Sequence, residues 1–222
     1  MKNNVFVFTG SGKLGNFVGY SAIGKMIWRA YQGVVRNPRT AAQLLQRAKF
    51  KTLLEESRMF VGAYRLGLKD EARSRKRTPY SQFMSVNAGN VTGVNPDSLS
   101  IDHDNMICAM GVIPNMTLDS DHIDQTSVPG TISVAVQDRN QGSFLSRDDD
   151  EFYLVATCPE LHEGCLGTSV KRSEATECEV TPPSYWSGKK VYIYIFGLGV
   201  AGDNYGKSSN SVCVGKIDFV IE

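Results

Sequence analysis

After Asn90 the sequence breaks into short β-prone runs, each about one strand long and each bounded by turn residues: 98–102, 106–113, 131–137, 151–157, 190–196 and 211–221. Strands this short at this spacing need neighbours on both sides, and local hairpin connections supply them antiparallel. The spacing suits an antiparallel sandwich or barrel, and the expectation over residues 91–222 is a β-sandwich. Val191-Tyr192-Ile193-Tyr194-Ile195-Phe196 is the clearest strand, and Pro182-Pro183-Ser184 and Ser208-Ser209-Asn210 mark loops.

Residues 1–90 read differently. Val5-Phe6-Val7-Phe8-Thr9 favours a short strand. Gly10, Gly12, Gly15, Gly19 and Gly24 then space out two extended segments that can close as a hairpin, anchored by Trp28 and Tyr31. Such a stretch suits an arm better than a compact core. Asn37-Pro38-Arg39-Thr40 punctuates the chain, and Thr40 is placed to cap a helix over Ala41–Gly62 that is rich in Ala, Leu, Gln, Glu, Lys and Arg. Ala41, Leu44, Leu45, Ala48 and Thr52 fall on one face of that helix. A further helix is expected over Pro79–Asn87 with Thr78 as its cap, and Lys69–Arg77 reads as the link. The class is therefore α+β: a basic arm and helices over 1–90, then a sandwich-like domain over 91–222.

Charge separates along the same lines. Residues 1–80 hold 16 Lys/Arg and 4 Asp/Glu, a net of +12, whereas residues 81–222 hold 8 and 19, a net of −11. One part is built to meet something anionic, or the two parts neutralise one another within a chain or between copies. Lys13, Lys25, Arg29, Arg36, Arg39, Arg47, Lys49 and Lys51 come within forty residues with Trp28, Tyr20 and Tyr31 interleaved, and Arg73, Arg75, Lys76 and Arg77 form a second cluster. Phosphate contact needs such cations, and aromatic rings stack on bases. The same residues also suit a solvated helix face and an arm that packs on an acidic neighbour. Lys13, Lys25, Trp28, Arg29, Arg36, Arg39, Arg47 and the second cluster are the candidate partner or nucleic-acid contacts.

The motifs that would signal chemistry fail on context. Gly10-Ser11-Gly12-Lys13-Leu14-Gly15 and Gly197-Leu198-Gly199-Val200-Ala201-Gly202 both fit G-x-G-x-x-G, but neither opens a helical pattern, and the first acid after the former is Glu55. Cys158, His162, Cys165 and Cys178 lack the close pairing of zinc ligands. Asp119, Asp121 and Asp124, and the run Asp148–Glu151, lack the glycine and distal Glu of a calcium loop. His103, His122 and His162 lie in polar, turn-like stretches, and nothing marks any of the five cysteines as an activated thiol. No enzyme activity, cofactor or metal is expected. The apolar start, residues 5–8, is too short for a secretion signal, and no apolar run reaches the roughly 18 residues of a membrane helix. The protein is expected to stay in the cell that makes it, or in a particle assembled there.

Three stretches together resemble one family. They are Ser11–Tyr20 continuing through Gly24-Lys25; Asn37-Pro38-Arg39-Thr40-Ala41-Ala42-Gln43 ending in Gln46-Arg47-Ala48-Lys49-Phe50; and Trp186-Ser187-Gly188-Lys189-Lys190-Val191-Tyr192-Ile193-Tyr194 followed by Ser209-Asn210-Ser211-Val212-Cys213-Val214-Gly215. In order and content they are similar to an uncharacterised family, a domain of unknown function found in Bacteroidetes bacteria and their phages. An Asn-Pro-Arg-Thr segment before a Gln/Arg-rich helix also recurs in other phage structural proteins. The resemblance implies an arm-plus-helix N-terminus and a sandwich-like C-terminus, and it carries over no catalytic residue. The expectation it supports is a structural component of a phage virion (capsid, neck or tail), made in the bacterial cytoplasm. Its partners would be copies of itself and other virion proteins, with no membrane. The alternative is a nucleic-acid-binding accessory protein that uses the basic N-terminal region.

Overall fold

The structure is a computed structural model and describes residues 11–22, 24–34, 39–125 and 127–221. The strand expected at 5–9 and the contact residue Arg36 lie outside these. The architecture is α+β. Two compact units divide the chain, Met1–Thr40 and Ala41–Glu222.

In the first unit β1 (Gly12–Leu14), β2 (Phe17–Ala22) and β3 (Lys25–Ala30) form an antiparallel sheet in that order. A two-residue connection, Gly15-Asn16, joins β1 to β2, because Leu14 pairs with Phe17. Gly15 takes φ +58°, which glycine adopts without the clash a side chain would cause.

The second unit begins with α1 (Ala41–Ser57), α2 (Val61–Gly67), α3 (Lys69–Ser74) and α4 (Pro79–Asn87). The last matches the sequence reading: Pro79 sits in the first turn and the Thr78 hydroxyl accepts the Ser81 N–H at 3.1 Å. The single helix expected over 41–62 instead stops at Ser57, and a turn separates it from α2. The Lys69–Arg77 link is itself helical to Ser74, with Asp70 and Glu71 in the first turn and Arg73 in the last, as the helix dipole favours. On α1 the expected apolar face is only partly covered. Ala41 and Leu44 are exposed, while Leu53, Glu56 and Ser57 near the end are buried.

The strands follow: β4 (Val91–Thr92), β5 (Ser100–Ile101), β6 (Thr117–Asp124), β7 (Ile132–Asp138), β8 (Glu151–Cys158), β9 (Glu163–Leu166), β10 (Val170–Lys171), β11 (Glu177–Val180), β12 (Lys189–Leu198) and β13 (Val212–Phe219). One sheet runs β10-β8-β12-β13, with β9 also pairing on β8, and a second runs β11-β7-β6. Period-two alternation explains how they stack. From the large sheet, Phe152, Leu154, Ala156, Val191, Ile193 and Ile195 point into a core shared with Leu118, Ile132, Val134, Cys178 and Val180 of the small sheet. The intervening Val155, Tyr194 and Phe196 point the other way, into a second core with Tyr64 and Phe83 of the helices and with Phe60 and Leu68, which flank α2. Phe60 and Tyr194 meet edge to face, their ring centres 5.2 Å apart. The large sheet is thus buried on both faces, which is why β12 reads as an unbroken apolar run.

The strand expected at 106–113 does not form. Met106, Cys108 and Ala109 are buried, but side chains and scattered backbone bonds to Gly67, Ser208 and Ser211, not a continuous ladder, hold this backbone. The Ile107 N–H donates to Asn87 Oδ1 (2.8 Å), the Cys108 N–H to Ser211 Oγ (2.9 Å) and the Gly111 N–H to Asn210 Oδ1 (3.2 Å), while the Ser208 hydroxyl donates to the Met110 carbonyl (2.7 Å). The Ser208-Ser209-Asn210 segment, read as a loop, and Ser211, read as the start of a strand, form the clamp. The second glycine fingerprint has a packing role as well. A Cβ on Gly197 would stand 2.6 Å from the Phe152 ring, and one on Gly199 2.1 Å from the Asn204 carbonyl.

Candidate functional site

The sheet of β1–β3 has two unlike faces, because residues paired across strands share a side. Lys13, Val18 and Arg29 form one row across all three strands, and Tyr20 and Ile27 pair on the same face. Alternation along β3 puts Lys25 on that face too. The Lys13 ammonium lies 3.7 Å from the centre of the Tyr31 ring, a cation–π contact that fixes the side chain. The opposite face holds Leu14, Phe17 and Trp28, which stay 54%, 56% and 40% exposed. Trp28 lies across Gly19, where any Cβ would come within 2.8 Å of its ring. The glycine at 19 makes room for the indole. An apolar face this open, on a sheet of three short strands, has little core of its own.

The structure therefore brings Lys13, Lys25 and Arg29 together and puts Trp28 on the other face. Arg39 is exposed and precedes α1, and Arg47 is exposed on α1. Arg73, Arg75, Lys76 and Arg77 are exposed around the end of α3. Two of them have partners on their own surface: Arg75 Nε lies 2.6 Å from Glu71 Oε1, and Arg77 donates to Ser85 Oγ at 2.9 Å.

A second cluster was not legible in the sequence. Glu56, in the last turn of α1, is buried, with Oε1 3.3 Å from His162 Nδ1 and Oε2 3.9 Å from His103 Nδ1. Glu56 Oε2 and His103 Nδ1 make no hydrogen bond. Burial pushes the Glu56 carboxyl up to about 7, against a smaller opposing pull from His162, and burial pushes His103 down. His103 lies against Tyr192, ring centres 4.9 Å apart, and its carbonyl accepts the Tyr194 hydroxyl at 2.7 Å. His162 adopts φ +51°, unusual for a side chain of its size. Of the two histidines, only His162 stands close enough to Glu56 for a hydrogen bond. They lie 47 and 106 residues from Glu56 in the chain, so no local pattern signals the meeting.

The remaining candidates give little chemistry. Between β6 and β13 a groove of about 400 Å³ is lined by Asn115, Thr117, Ser120, Asn140, Val214 and Cys213, among others. It presents no carboxylate, imidazole or amine among its described residues, and burial pushes its thiol up to about 11. Cys108 and Cys178 are pushed to about 12 by burial, far from a thiolate at neutral pH. Among the described residues no three His, Cys, Asp or Glu side chains converge to hold a metal ion, and no helix is long and apolar enough to cross a membrane. A family model described as a family of unknown function (DUF6266) matches residues 9–215, whereas no curated protein and no solved structure matches.

Proposed function

The chain belongs to the DUF6266 family, whose function is unknown, and we propose that it is an assembly protein, a structural component of a bacteriophage particle. The observation that carries the assembly reading is the apolar face of the β1–β3 sheet, with Leu14, Phe17 and Trp28 open to water. Covering side chains that are already half buried recovers about 1 kcal/mol each, so another protein surface is the natural cover. In this reading the neighbours are copies of the same chain and other virion proteins, the chain is made in the bacterial cytoplasm, and no membrane is involved. The phage context rests on the resemblance of Ser11–Tyr20, Asn37–Phe50 and Trp186–Tyr194 to a family of Bacteroidetes and their phages.

Sedimentation velocity on the full chain tests the reading. Species larger than the monomer should grow with concentration, and Leu14→Ser with Phe17→Ser should shift them back to monomer. A monomer at every concentration contradicts it.

One observation favours a second reading, a nucleic-acid-binding accessory role. Lys13, Lys25 and Arg29 share a face with Tyr20, the pairing of cations and a ring that single strands use. A gel-shift titration at low and moderate salt separates the two. Tight binding that weakens steeply with salt would exchange their order.

A further inference from the structure

We propose that the basic face of the β1–β3 sheet docks on the outer face of the β11-β7-β6 sheet of a second copy of this chain. The inference rests on the assembly reading and names the surface that receives the arm. Charge is the first argument. The described residues of the arm sheet carry Lys13, Lys25 and Arg29 and no acid. Strands β6, β7 and β11 carry six acids and no Lys or Arg, and of these Asp124, Glu177 and Glu179 are placed on the outer face by their pairing with Ser133 and Ala135, Asp124 also accepting from Ser127.

Register is the second. In the arm sheet a row runs Lys13–Val18–Arg29, with charges on the two outer strands and an uncharged residue between. In the small sheet a row runs Asp124–Ser133–Glu179, again with charges outside and an uncharged residue between. Both sheets are antiparallel, so each pair of charges is two strand spacings apart, about 10 Å. Ser133 and Ala135 are small and face outward, opposite the core-facing Val134, so two sheets can approach to packing distance there. Glu177, paired with Ala135, extends the acidic face one step along β11.

Two properties of an assembly follow. Donor and acceptor are different patches, so the contact is head-to-tail and propagates into a ring or an open array. The footprint of one three-residue and two six-residue strands is about 240 Å², well under the roughly 800 Å² per partner of a stable pair. A single contact is therefore weak and salt-sensitive, and repetition around a closed assembly supplies the stability.

A charge exchange on full-length protein tests it. Lys13→Glu with Arg29→Glu reverses the donor, and Glu177→Lys with Glu179→Lys reverses the acceptor. Circular dichroism and thermal melts confirm that both fold. Each variant alone should need at least about tenfold more protein than the parent to assemble, as like charges now face each other. An equimolar mixture should recover assembly to within about threefold of the parent, because each reversed surface then meets its complement. If the acceptor variant assembles like the parent, the proposed partner surface is overturned while the assembly reading stands. If both variants are monomeric and the mixture does not recover, the pairing of these two faces is overturned. If the donor variant loses single-stranded DNA binding yet assembles normally, the basic face serves a polyanion and the proposal falls. If the parent never assembles, the assembly reading fails and takes this inference with it.

Discussion

Consider Glu56→Gln. The carboxyl is buried near the end of α1, with His162 on one oxygen and His103 beyond hydrogen-bond reach of the other. Glu55 adds like charge, and the contact with His162 opposes the effect of burial only in part. The folded protein holds the Glu56 proton to about 7, against an ordinary 4.5. At about 1.4 kcal/mol per tenfold change in proton affinity, that gap is worth about 3 kcal/mol. Its sign follows from the direction. A carboxyl raised in the folded state favours folding most below the unfolded value near 4.5. That contribution shrinks as pH rises and is gone above about 7. Glutamine keeps the shape and never ionises, but it loses the contact with half-exposed His162, worth about 0.5–1 kcal/mol. The variant should therefore match or slightly trail the parent at pH 5 and exceed it by about 2 kcal/mol at pH 8. Urea unfolding at pH 5, 6, 7 and 8 reads this directly, and the parent should lose stability relative to the variant across that window. A variant less stable than the parent at pH 8, or a difference that does not change with pH, would refute the reasoning. Glu56 would then be held as a charge.

Other substitutions probe the fold around the proposed surfaces. Arg172 is wholly buried, lies over Phe152, and ties the Arg139 and Pro114 carbonyls to Asp150. Arg172→Ala should cost about 3–5 kcal/mol in urea unfolding, because Asp150 is left buried without its cation. Ser211→Ala removes the acceptor for the Cys108 and Ala109 N–H groups and should cost about 1–3 kcal/mol, read as a lower thermal midpoint. Gly19→Val should displace Trp28 from the sheet and weaken self-association without moving the thermal midpoint of the second unit. Tryptophan fluorescence reports the first effect and differential scanning calorimetry the second.

How much of this was legible in the sequence differs by element. The α4 cap and its proline, the long β12 run and the strands β7, β8 and β13 all carry local signals, namely cap chemistry, apolar runs and turn residues, and each appears close to where it was read. β6 and β11 were missed. The first is dense in Asp and loses register between Leu118 and Ile123, and the second is four residues long with Glu at alternate positions. Neither looks apolar, because only one face of this sheet is buried. The 106–113 segment misled for the opposite reason: it is apolar since it is buried, but its backbone is satisfied by the side chains of Asn87, Asn210 and Ser211 and by backbone groups of Gly67, Ser208 and Ser211, all distant in the chain. Of the basic residues named from the sequence, Lys13, Lys25 and Arg29 could be grouped only once strand register was known. Glu56, His103 and His162 meet only through the tertiary fold.

Burial of the arm sheet by other copies is tested most directly by hydrogen exchange measured alongside sedimentation on the same samples. Amides of residues 17–30 should exchange fast in dilute monomer and become protected as larger species form. The same residues protected to the same degree in a monomer that never associates would contradict it.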